Sequence, residues 1–73
     1  MALLEQIEEF QATMNQVMEL VEETKALAGK IPDASIAEAP RLMEEIFDLC
    51  GDGVSKLNAA IGQAEDIQNT LGR

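Results

Sequence analysis

"DLCGDGVSKLN", residues 48–58, holds two glycines, two aspartates and the only cysteine of the 73-residue chain. Its reading decides how many helices there are. If Gly51 ends one helix and Asp52 caps the next, the chain has three. If helix runs through, it has two. The flanking residues bear on the choice. Met43, Phe47, Cys50, Val54, Leu57, Ile61, Ala64, Gln68 and Leu71 recur in alternating steps of four and three, the spacing that lines up one face of a helix. That phase is unbroken across Gly51-Asp52-Gly53, whereas a loop of arbitrary length would shift it. Glycine inside a helix costs about 1 kcal/mol relative to alanine, which a packed face can absorb. The spacing therefore predicts one helix passing through, continuous or bent, with a break at Gly51–Gly53 as the competing arrangement.

The N-terminal segment has the same periodicity. Leu3, Ile7, Phe10, Met14, Val17, Val21, Thr24 and Ala28 form one stripe, and Glu5, Glu8, Glu9, Glu19, Glu22 and Glu23 fall away from it. Leu4, Met18, Leu20 and Leu27 flank the stripe. An apolar arc this wide implies burial against more than one neighbour rather than a two-stranded seam. In the second segment Ile46, Ala60 and Ile67 widen the stripe, and Leu42 and Leu49 fall outside it as an extra contact surface.

Between the stripes lies "AGKIPDASIAEAP", residues 28–40. Gly29 and Pro32 are stop signals. Ser35 and Glu38 have capping-box spacing, and Pro40 is tolerated only in a first helical turn. The domain reading is a helix over about 2–28, a loop over about 29–39 and a helix over about 40–71, all within a single helical domain.

Composition excludes many activities. One cysteine and no histidine leave no intrachain disulfide and no zinc site, and a lone thiol fits a cytoplasmic protein. Fourteen acids against five bases, a net charge of −9, argue against direct nucleic-acid binding. No apolar run approaches a membrane span. Read as a calcium loop, the opening stretch places Asp48 first, Asp52 fifth and Gly53 sixth, but Cys50 is third and Ala59 twelfth. The soft third ligand and the missing bidentate glutamate rule against calcium. Small size and acidity are similar to those of acyl carrier proteins, whose arm is attached at an Asp-Ser-Leu motif. The nearest serine, Ser55, sits in "GVSKL" and lacks that motif. Neighbouring Asp48 and Asp52 make Cys50 a poor nucleophile, and it is read as a small core residue. The sequence thus offers no catalytic, metal or cofactor-binding residues.

The expected fold is all-α: an antiparallel helical hairpin, possessing more apolar face than two helices can cover and so associating into a helical bundle. A dimer of hairpins is the simplest closed solution. The expected association face is Phe10, Met14, Val17, Met18, Val21, Phe47, Val54, Leu57 and Ile61. The expected function is a non-enzymatic protein–protein interaction module, an acidic adaptor or assembly subunit acting as a homo-oligomer. Two alternatives stand beside it. One is an acidic inhibitor of a basic, nucleic-acid-handling or defence protein, a nucleic-acid mimic of phage type, using Glu5, Glu8, Glu9, Glu19, Glu22 and Glu23 as its partner face. The other is a small-ligand binder at an oligomer interface.

Overall fold

A computed structural model describes residues 2–72. Helix α1 spans Leu3–Lys30, a short 3-10 turn spans Ile31–Asp33, and helix α2 spans Ala39–Leu71. The two helices pack against each other as an antiparallel hairpin. Helix α1 overruns Gly29 by one residue, and no described glycine adopts a positive φ. The stop comes at Pro32, which has no N–H to continue the ladder. Ala34 then donates to the Ile31 carbonyl at 3.1 Å and turns the chain into extended backbone.

The entry to α2 uses the predicted Ser35–Glu38 spacing. In the turn that leads into α2 the Glu38 N–H is shared between the Ser35 hydroxyl and the Ser35 carbonyl, each at 3.1 Å, and the same carbonyl accepts the Ala39 N–H at 2.9 Å. Pro40 sits in the first turn, where its missing N–H costs nothing. Helix α2 then runs for 33 residues without interruption through Gly51-Asp52-Gly53. The three-helix alternative is thereby set aside, and the phase argument holds.

The structure corrects which row of α2 faces α1. The least exposed positions of α2 are Ala39, Leu42, Ile46, Leu49, Gly53, Ala60, Gln63, Ile67 and Thr70. Those of α1 are Leu3, Gln6, Ile7, Phe10, Thr13, Met14, Val17, Leu20, Thr24 and Leu27. The α2 row lies one residue, or about 100° of helix, before the predicted stripe. Leu42 and Leu49 are thus seam residues. Phe47, Cys50, Val54, Leu57, Ile61 and Leu71 are exposed in the hairpin. Cys50 is not a core residue of this hairpin.

Small and short side chains mark the middle of the seam, where Ala60 is 4% exposed and Val17 7%. Thr13 is also buried there, and its hydroxyl donates to the Glu9 carbonyl at 3.0 Å. Thr24 donates in the same way to the Leu20 carbonyl at 2.7 Å. Each hydroxyl is satisfied within its own helix, so a polar residue can sit in the seam without losing a hydrogen bond.

The molecule measures 56 × 14 × 14 Å, with a radius of gyration of 16.6 Å. A compact chain of this length would have a radius of about 11 Å. The hairpin is a rod, and most of both helices faces outward.

Candidate functional site

The two flanks of the rod differ in chemistry. Positions one residue after the seam row turn to one side, and positions one residue before it turn to the other. Because the helices run antiparallel, the "after" rows of α1 and α2 share a side, and so do the "before" rows.

On the first side, Val17, Leu20, Val21, Thr24 and Lys25 of α1 meet Leu49, Cys50, Gly53, Val54 and Leu57 of α2 around an open hollow of about 340 Å³. Every lining residue except Thr24 and Lys25 is apolar, glycine or the thiol. Met43, Phe47, Ile61 and Leu71 are also exposed and lengthen the apolar row on α2 towards both ends, and Met18 is exposed on α1. Phe47 is 71% exposed. Monomeric proteins rarely leave an apolar strip of this extent uncovered.

Of the nine predicted association residues, Met18, Val21, Phe47, Val54, Leu57 and Ile61 are exposed. Phe10 and Met14 are half-buried and Val17 is buried in the hairpin seam. The structure therefore gathers most of the predicted face on one flank and assigns Val17 to the hairpin itself.

The opposite flank is acidic. Glu23, Glu45 and Asp48 border one hollow with Ala26, Leu27 and Leu49. Glu19, Glu23 and Asp52 border a second with Lys56 and Ser55. Glu9 and Asp66 border a third with Gln6 and Gln63, whose Oε1 atoms are buried without a hydrogen-bond partner. Three of the six predicted acidic residues, Glu9, Glu19 and Glu23, line this side, whereas Glu5, Glu8 and Glu22 are exposed but line none of the hollows. Sequence reasoning missed Glu45, Asp48, Asp52 and Asp66 as their companions. The signal was present, since all four precede a seam residue or lie on its outer neighbour row, but it is visible only when the seam is known.

Among the described residues, no group of cysteine and acidic side chains is arranged to hold a metal ion. No helix among them is long and apolar enough to cross a membrane. No family model, curated protein or solved structure matches this chain.

Proposed function

We propose that the protein is a non-enzymatic interaction module, an acidic helical assembly subunit that works through self-association of its apolar flank. The observation that carries this reading is the apolar row left bare along α2 beside a hairpin whose own seam is thin. Val17, Ala60 and Thr13 are the buried residues of the described chain. Chains of this size gain stability by association when no disulfide or metal supplies it. Self-association also suits the charge distribution, because covering the apolar flanks leaves the acidic flanks outermost, where solvent and salt screen them.

Sedimentation equilibrium on the full chain tests the proposal. The expected species is a dimer of about 16 kDa, twice the 7.9 kDa chain. A particle that stays at the single-chain mass up to high micromolar concentration overturns it.

A second reading rests on the acidic flank. Carboxylates from both helices border the same hollows, a surface suited to a basic protein segment. It is compatible with the first, since the acidic flanks face outward in a dimer. Binding of that kind weakens steeply with salt, and the paired charge reversal Glu23→Lys with Asp52→Lys should abolish it. Salt-independent capture of a partner would refute the acidic reading.

A further inference from the structure

We infer that the occupant of the apolar flank is a second copy whose α2 lies antiparallel against α2 of the first, with the two-fold axis crossing between Val54 and Leu57. This rests on the self-association reading and adds its geometry. The hairpin exposes 5463 Å², whereas a compact monomer of its mass would expose roughly 4,400 Å². The excess, on the order of 1,000 Å², is close to the roughly 800 Å² that each partner of a stable dimer contributes. A second hairpin also has the right length, because the bare row on α2 runs for about 42 Å from Met43 to Leu71 at 1.5 Å per residue.

Antiparallel pairing follows from the sizes of the side chains in that row. Centred between Val54 and Leu57, it sets Phe47 opposite Ala64 of the second copy, Cys50 opposite Ile61, and Val54 opposite Leu57. Large meets small in the outer layers and medium meets medium at the centre, which keeps the interhelical distance even along the contact. The same centre lies at the middle of α2, Ala39–Leu71, so the hairpins overlap along their full length. A two-fold axis along the rod instead sets α2 against α1 of the second copy. Lys25, which lines the apolar hollow, then falls level with Phe47 and Cys50, where its ammonium loses water without an acceptor. With α2 on α2, Lys25 falls near Gln11 on α1 of the second copy and keeps a polar neighbour at the rim.

Pulsed electron paramagnetic resonance on spin-labelled full-length chain tests the geometry. In a Cys50→Ala background, single cysteines at Ser55→Cys, Gly62→Cys and Asn69→Cys occupy one outward helical row. All three positions are exposed, and a Cβ at Gly62 meets no atom within 4 Å. Antiparallel pairing makes the axial separation of equivalent labels grow by about 3 Å per residue from the centre. It is near zero at Ser55, about 20 Å at Gly62 and about 40 Å at Asn69. Distances that lengthen in that order support the inference. Equal distances at all three positions, in a particle of dimer mass, overturn the antiparallel geometry and leave self-association standing. Single-chain mass with no intermolecular distance overturns both.

Discussion

Replacing Phe47 with alanine separates the two roles that an apolar residue of α2 can have. In the hairpin alone Phe47 is 71% exposed. A phenylalanine presents roughly 200 Å², so about 140 Å² of it lies on the bare flank. Truncation to alanine removes roughly 100 Å² of that area, equivalent to about 2.5 kcal/mol at 25 cal/mol per Å². A dimer contains two such sites, so the loss is about 5 kcal/mol and the dissociation constant rises by about 10³- to 10⁴-fold. For the hairpin itself the sign reverses, because alanine is the better helix former by a few tenths of a kcal/mol. The assay is sedimentation equilibrium over a range of concentrations, paired with thermal unfolding at each. The parent should show a melting temperature that rises with concentration, and the variant should lose that dependence. Ile46→Ala, one residue earlier and on the half-buried seam, should instead lower stability by about 1–2 kcal/mol in the monomeric hairpin as well. A Phe47→Ala variant that dissociates within tenfold of the parent would refute the reasoning.

Other substitutions probe the local chemistry. Gly51→Ala places a methyl in open space within helix α2 and should stabilise by about 0.5–1 kcal/mol in urea unfolding; destabilisation would contradict an unbroken helix there. Ala60→Leu forces three more carbons into the tightest part of the seam and should cost about 1–3 kcal/mol, with an unchanged midpoint as the contrary result. Ser35→Ala removes the hydroxyl that accepts the Glu38 N–H and should cost about 0.5–1 kcal/mol by chemical denaturation; a neutral variant would mean that the carbonyl of Ser35 suffices to start α2. Raising salt should tighten self-association, because each copy carries −9 and screening weakens the repulsion between copies. Weakening with salt would point instead to ion pairs across the contact.

The two helices, their approximate ends and the passage of α2 through Gly51-Asp52-Gly53 were legible from periodicity, since each apolar row kept a helical phase over its whole length. The Ser35–Glu38 entry and the first-turn place of Pro40 were equally legible, because caps and prolines act within a few residues of the chain. The partition of the apolar surface was not. In α2 the apolar arc covers two adjacent rows, one through Ile46, Leu49 and Ala60 and one through Phe47, Val54 and Leu57, about 100° apart. Both rows have the same period, so periodicity alone cannot say which meets α1. Packing chose the row with Gly53 and Ala60 at its centre, level with Thr13 and Val17 of α1, where small side chains let two backbones come close. The larger residues, one position later, were left outside by that choice. The acidic flank is a consequence of the same event: carboxylates scattered along 73 residues become one surface only after the hairpin closes and fixes which sides of α1 and α2 lie together.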